Sequence, residues 1–184
     1  MPHSFEERFL EDTRAQFRAL RALAEGALEQ LDDAGFSATL GPESNSVAVL
    51  VKHVSGNLLS RWTDFLTSDG EKPGRDRDSE FEITPADTRA SLMARWAASW
   101  ECVARALETL EPADLGRQVT IRGEPHAVVK AIHRSLTHVA GHVYQIVLLA
   151  RHECASGWRT LSVPRGGTPA FNVEMARRFP PAGK

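Results

Sequence analysis

Two histidines four residues apart, His138 and His142, are the residues whose types and spacing point most directly to chemistry. Residues at that spacing are neighbours on one face of a helix, so both imidazoles can bind the same metal ion. A zinc-protease helix also carries a glutamate directly after its first histidine, and this chain has Val139 there. The pair therefore predicts a metal site but disfavours a peptidase of that class.

The position of this pair on its helix leaves a second interpretation open. At about 100° per residue, the pair lies on one shoulder of an apolar stripe centred near Val139 and Val143. Shoulder positions suit metal ligands that solvent must reach, and they equally suit partly buried histidines with ordinary hydrogen-bond partners. The opposite shoulder of the same predicted helix carries His126 and His133.

A third histidine, His53, lies in a different predicted helix and borders its apolar stripe, with Asn57 one turn further along. It completes a three-histidine site only if the two helices are adjacent, which the periodicity of the sequence does not decide. Tyr144 and Gln145 follow the histidine pair closely, so they are candidates for a pocket beside it. No general acid or base can be assigned from the sequence.

Four long helical stretches must position these residues. Apolar residues recur at helical spacing over about residues 4–33, 44–67, 84–110 and 125–152. The polar connection at about residues 68–78 is long for two helices of a compact bundle, so it predicts a crossover between the second and third helices. The sequence therefore predicts an all-α fold, a four-helix bundle with this long crossover.

Capping and turn-forming residues set the expected ends of the helices. Gly35 is expected to stop the first helix, and Thr84 is expected to cap the third. Either Ser44 or Asn45 is expected to cap the second helix. Residues 119–121 are expected to form a short extended piece. A solvated, charged loop is expected to contain Asp76, Arg77, Asp78 and Glu80.

The C-terminal part of the chain, residues 154–184, is rich in glycine and proline and predicts an irregular tail without a long helix. Part of this tail is expected to pack onto the bundle through Trp158, Leu161 and Phe171. Because 184 residues suit one domain, we expect a single domain over residues 1–184, with the bundle at about 4–153.

The composition narrows the classes of function. The formal net charge is −2, so the basic excess of a dedicated nucleic-acid binder is absent. No apolar run approaches the roughly 20 residues that span a bilayer, and the N-terminus lacks the pattern of a secretory signal. These features predict a cytoplasmic protein that has neither nucleic acid nor a membrane as its partner.

The combination of one histidine in the second helix, a His-x-x-x-His pair in the fourth and a long crossover resembles the DinB-like, or YfiT-like, superfamily of metal-dependent proteins. The resemblance runs from about residue 5 to residue 172, and it is strongest with a bacterial branch of unassigned function. It is carried by residues 51–57, 61–72, 132–138, 142–146 and 162–167. That branch commonly has an aromatic residue directly before its last histidine, where this chain has Gly141.

The resemblance implies a four-helix bundle in which His53, His138 and His142 converge on one divalent metal, nickel or zinc, with water in the open positions. It also implies a homodimer and a small-molecule substrate. Relatives include transferases that use bacillithiol or mycothiol and a maleylpyruvate isomerase, so a low-molecular-weight thiol is a candidate cosubstrate.

Two classes of function follow from these expectations. The first is a metal-dependent enzyme, either a hydrolase or a thiol-dependent transferase, since both reactions use the open positions of a three-histidine site. The alternative is a non-enzymatic dimeric bundle that binds a ligand or a protein and keeps a structural or vestigial metal. A solvent-open pocket beside the histidines would favour the enzyme, and a closed one would favour the alternative.

Overall fold

The computed structural model describes residues 4–180 and is mainly α-helical, which confirms the predicted fold class. Its α-helices are α1 (Phe5–Leu28), α2 (Asp33–Ser37), α3 (Val47–Trp62), α4 (Arg89–Thr109), α5 (Val128–Cys154) and α6 (Thr168–Arg178). Strands β1 (Gln118–Ile121) and β2 (Glu124–Ala127) form a small antiparallel hairpin. None of the helices within residues 4–180 is long and apolar enough to cross a bilayer.

The bundle consists of α1, α3, α4 and α5, in which α3 packs beside α4 and α1 packs beside α5. Helices α3 and α4 run parallel, since two contacts follow each other in the same order along both. Lys52, early in α3, pairs with Asp87, just before α4. Oγ1 of Thr63, just after α3, lies 3.6 Å from Sγ of Cys102, further along α4. Two parallel neighbours need a connection that returns along the length of the bundle. Residues 63–88 make that connection and are called the crossover below.

Helix α3 is buried on nearly all sides, because the crossover covers the face that does not contact the other helices. Its apolar residues Val47, Val54 and Leu58 are fully buried, and each such side chain contributes about 1.5–3 kcal/mol through loss of contact with water. The polar residues of α3 are buried as well, so each needs a partner within the protein. The crossover therefore determines the chemistry of this helix.

The predicted caps of the second and third helices were wrong by a few residues. Ser46, rather than Ser44 or Asn45, caps α3, because its hydroxyl accepts a hydrogen bond from the backbone N–H three residues on, at 3.2 Å. Thr88, rather than Thr84, caps α4 in the same way. Capping residues are frequent in both segments, so the sequence alone did not distinguish between them.

The prediction that Gly35 ends the first helix was also wrong. Helix α1 ends at Leu28, and Gly35 lies inside the short helix α2. The side chain of Asp32 caps α2 by accepting a hydrogen bond from the backbone N–H of Gly35 at 2.8 Å. Gly35 therefore lies near the start of α2 and not at the end of α1.

The β1–β2 hairpin replaces the predicted first turn of the fourth helix. Arg122 and Gly123 both have positive φ, of 55° and 75°, as a tight two-residue hairpin turn requires. The carboxylate of Asp69 in the crossover accepts a hydrogen bond of 2.8 Å from each of their backbone N–H groups. His126 is consequently a buried strand residue and does not lie on the shoulder of a helix.

The tail contains an 11-residue helix, α6, which the prediction of an irregular tail missed. Glycine and proline are concentrated before and after this stretch, and Pro169 occupies the first helical turn, where proline is tolerated. Trp158 and Leu161 pack against the core, whereas Phe171 on α6 remains 45% exposed. The tail therefore joins the bundle through residues that precede α6.

Candidate metal centre

Helices α3 and α5 bring His53, His138 and His142 together. One ring nitrogen of each histidine can be chosen so that all three nitrogens lie within 4.8 Å of one another. The ring centroids are 4.6 to 5.2 Å apart. Imidazole nitrogen is a common ligand of first-row divalent metals, so this group could hold a metal ion.

Burial differs among the three rings. His53 is 2% exposed, whereas His138 and His142 are half-buried on the shoulder of the α5 stripe formed by Val139 and Val143. The group therefore has one side against the protein interior and another that a ligand can approach.

Two of the three imidazoles are held in a defined tautomer by a neighbouring oxygen. Nδ1 of His53 lies 2.9 Å from a carboxylate oxygen of Glu80, and Nδ1 of His142 lies 3.0 Å from Oε1 of Gln145. Both oxygens are acceptors, so we assign the proton of each ring to Nδ1. This assignment leaves Nε2 of both rings unprotonated, and a hydrogen bond from the other ring nitrogen is the arrangement that orients a metal-binding imidazole.

The third ring, His138, points its Nε2 into the centre of the group. This atom lies 3.2 Å from Nε2 of His53. Its other nitrogen, Nδ1, is buried and has no hydrogen-bond partner among residues 4–180. His138 therefore lacks the orienting contact that the other two rings have.

Burial, followed by the neighbouring His142 and His53 and by Arg61 and Arg75, lowers the pKa of His138 to about 3. Burial also lowers the pKa of His142, although the hydrogen bond with Gln145 opposes this shift. Both rings are consequently neutral near pH 7. Neutral imidazole is the form that binds metals, so neither ring must lose a proton first.

Glu80, which holds His53, is itself held by two further hydrogen bonds. Arg75 donates from Nε to one carboxylate oxygen and from Nη2 to the other, each at 2.8 Å. Burial alone would raise the pKa of Glu80, but the hydrogen bonds from His53 and Arg75 keep it below its usual value. Glu80 is thus an ionised carboxylate with only 2% of its side chain exposed.

Gly56 provides the space that Glu80 occupies beside α3. A Cβ atom added at Gly56 would lie only 2.6 Å from Cδ of Glu80 and 3.2 Å from Nη2 of Arg95. Any larger residue would push the carboxylate away from α3 and hence away from His53. The close approach of this side chain explains a glycine in the middle of a buried helix.

A cavity of about 180 Å³ adjoins the histidines. His53 and His138 form part of its wall, together with Asn57, Ser135 and several arginines. The hydroxyl of Ser135 accepts a hydrogen bond from Nε1 of Trp62 at 3.0 Å, which fixes this part of the wall. A small molecule in the cavity would contact two of the three histidines.

The structure brings together some of the predicted pocket residues but not all. Asn57 lines the cavity, and Gln145 contacts His142 at the edge of the group. Tyr144 is 62% exposed and does not line this cavity. It follows His142 by two residues, a spacing that puts its side chain on a different face of α5.

Sequence reasoning missed the residues that support the histidines. Glu80 was expected in a solvated loop but is buried against His53, and Phe81 packs on the same ring with centroids 4.6 Å apart. Loop residues carry no periodicity, so their burial could not be predicted from spacing. The useful signal was Gly56, since a glycine inside a helical pattern costs stability relative to alanine and indicates a packing reason such as close approach by another group.

Fold and site together define a mainly α-helical bundle with a three-histidine group that could hold a metal ion. The chain belongs to the family described as "Protein of unknown function (DUF1572)", whose model matches residues 4–167. No curated protein and no solved structure matches the chain. The family match includes the bundle, the crossover and all three histidines, but its description assigns no activity.

Proposed function

We propose that this protein is a divalent-metal-dependent enzyme acting on a small molecule, with His53, His138 and His142 as the metal ligands. The observation that carries this proposal is the convergence of three imidazoles beside a cavity. The same convergence, together with the crossover between parallel helices, supports placing the family within the DinB-like superfamily.

The donor set fits a borderline divalent ion such as nickel or zinc. Nitrogen is the donor in all three residues, and hydrogen bonds from Nδ1 leave Nε2 unprotonated in His53 and His142. When bound by three neutral imidazoles, such an ion keeps open positions in which it lowers the pKa of a water molecule or a thiol.

The remaining residues of the site orient its parts. Glu80 and Gln145 hold two imidazoles in the metal-binding tautomer, and Arg75 holds Glu80 in place. Asn57 and Ser135 contribute polar groups to the cavity wall, where they can bind a substrate. In this arrangement the rigid bundle supplies the ligands, and the crossover supplies the groups that position them.

The cavity favours an enzyme over a bundle with a purely structural metal. A structural three-histidine site needs no space beside it, whereas a catalytic site needs room for a reacting molecule. His53 and His138 both form part of the cavity wall, so the space lies next to two of the three ligands. Hydrolysis and thiol-dependent transfer both fit this arrangement, and a homodimer is our prediction for the assembly.

Elemental analysis of protein purified without a metal-chelating tag tests the proposal. We expect about one divalent ion per chain in the wild type, and less than about a tenth of that in His138→Ala and His142→Ala. His133→Ala is the matched control, since His133 is an exposed histidine on the same helix. Stoichiometric metal in both ligand variants would refute the three-histidine site.

An assay of the metal-loaded protein then separates the reaction classes. One arm measures hydrolysis of activated esters, and the other measures transfer to low-molecular-weight thiols, with His138→Ala as the inactive control. We expect activity in one of the two arms. Full metal occupancy without activity in either arm would favour the non-enzymatic alternative.

A further inference from the structure

The cavity beside the histidines is rich in positive charge. Five arginines contribute to its wall, namely Arg61, Arg75, Arg77, Arg122 and Arg134, and we call it the arginine cavity. None of the residues that line it, within the part of the chain that the structure describes, is an aspartate or a glutamate. A concave site lined by charges of one sign concentrates ligands of the opposite sign.

Acidic residues behind the wall neutralise only part of this charge. Glu71 lies within 4 Å of three guanidinium groups, those of Arg61 at 2.9 Å, Arg75 at 3.2 Å and Arg122 at 3.5 Å. Glu80 pairs with Arg75 and also accepts from His53. Three arginines therefore share two carboxylates, and a positive excess remains.

The crowding of positive charge is visible at Arg61. Burial lowers the pKa of Arg61, and the charges of Arg75 and Arg134 lower it further, although Glu71 opposes the shift. A bound anion would relieve this repulsion.

Three arginines at the rim are free to contact a ligand. Arg77, Arg122 and Arg134 each have about half of the side chain exposed, at 48%, 55% and 50%. Their ion pairs with acidic residues are long, at 3.7, 3.5 and 3.9 Å, and long exposed pairs contribute little to stability. Holding the fold together therefore does not account for these three side chains.

The rim is also connected to the histidine group. The guanidinium of Arg77 lies over the ring of Phe81 at 5.0 Å, and Phe81 packs on His53. Arg134, which also lines the cavity, lies one helical turn before His138 on α5. An anion bound between these arginines would consequently lie next to the proposed metal ligands.

We infer that the arginine cavity binds a small molecule bearing an oxyanion, a carboxylate or a phosphate, and that this molecule is the substrate. Guanidinium groups recognise both oxyanions through paired hydrogen bonds. The volume, about 180 Å³, is below the roughly 300–1,000 Å³ of sites for drug-sized ligands, so the ligand is small. Only the identification of this anion as substrate rests on the proposed function.

Isothermal titration calorimetry of the metal-free protein at constant ionic strength tests the inference. The probes are succinate, inorganic phosphate and succinamide, which has the size of succinate but no charge. Metal-free protein is used so that no anion can be bound by a metal ion. We expect succinate, phosphate or both to bind and succinamide not to bind, and the tighter of the two anions identifies the class of oxyanion.

Variants at the rim locate the binding. The double variant Arg122→Gln/Arg134→Gln is expected to weaken anion binding by at least about tenfold, since each change removes a charge-assisted contact. Arg117→Gln is the matched control, because its side chain is also 50% exposed but does not line the cavity. Arg77→Gln gives the same test with a single change if the double variant is unstable.

The inference is overturned if neither anion binds, if succinamide binds as well as succinate, or if the rim variants bind as the wild type does. These outcomes are independent of the metal site. Anion binding, together with no metal uptake by the wild type when it is offered nickel or zinc, would refute the proposed function alone, whereas stoichiometric metal uptake without anion binding would refute this inference alone.

Discussion

Helices α1 and α3 belong to the same bundle but bury different kinds of residues. Helix α1 is amphipathic, with Leu10 and Phe17 in the core and charged residues on the exposed face. Helix α3 buries apolar and polar residues alike, including Lys52 at 7% and His53 at 2% exposure. The difference arises because the crossover covers α3, whereas the outer face of α1 stays in solvent.

This difference shows where the protein departs from simple amphipathic packing. A buried polar group destabilises the fold unless it has a partner. The crossover supplies these partners: Asp87 for Lys52, Glu80 for His53 and the carbonyl of Gly70 for Ser60. The candidate site therefore lies beside the helix whose buried polar residues have partners in the crossover.

Replacing one carboxylate beside α3 and one on α1 should give the largest difference in the free energy of unfolding. Glu80→Ala leaves Arg75 without its closest partner in a buried site, so we expect a loss of about 3–5 kcal/mol in the free energy of unfolding. Glu11→Ala on α1 removes an exposed carboxylate and should cost about 0.5 kcal/mol or less. Urea denaturation measures both, and equal losses would remove the distinction between the two helices.

Replacing a glycine by alanine should lower the free energy of unfolding in α3 and raise it in α5. Gly56→Ala would displace the carboxylate of Glu80, so we expect a loss of about 1–3 kcal/mol, despite the higher helix propensity of alanine. Gly141→Ala on α5 meets no atom within 4 Å and should stabilise the protein by up to about 1 kcal/mol. Thermal unfolding compares the two variants, and stabilisation by both would show that Glu80 is not held against α3.

The Lys52–Asp87 pair should make a smaller, pH-dependent contribution to the free energy of unfolding. Burial opposes the shift, but hydrogen bonds from Lys52 and Thr84 lower the pKa of Asp87 to about 2. Because this value lies below that of an unfolded aspartate, about 3.9, the pair stabilises the folded state above pH 4 and loses this effect as the pH falls towards 2.

We therefore expect Asp87→Asn to lower the free energy of unfolding by about 1–2 kcal/mol at pH 7 and by less at pH 3. Urea denaturation of wild type and variant across this pH range measures the difference. A difference that stays constant with pH would show that Asp87 does not act through its charge. Glu11→Ala, at an exposed position of α1, is the comparison, and its effect on the free energy of unfolding should be small throughout this pH range.

The parts of the structure that follow from periodicity could be predicted from the sequence. The apolar stripes of α3 and α5 predicted these helices, and the spacing of His138 and His142 predicted that both lie on one face of α5. The long polar connection predicted the crossover. Each of these inferences needs only local spacing and the length of a segment.

The rest depends on contacts between segments that are distant in sequence. Glu80 reaches His53 across 27 residues, and Asp69 accepts from the hairpin turn across 53 and 54 residues. Neither contact leaves a periodic signal. The α6 helix was missed for another reason, since flanking proline and glycine residues masked a short stretch that contains neither at its centre.

The nitrogen-15 chemical shifts of the histidine side chains, measured by NMR before and after one equivalent of zinc, test the central claim most directly. We predict that Nε2 of His53, His138 and His142 all move to values typical of a metal-bound nitrogen, while the nitrogens of His126, His133 and His152 do not change. Metal-bound shifts at fewer than three of these rings, or at a histidine outside the group, would contradict the proposed site.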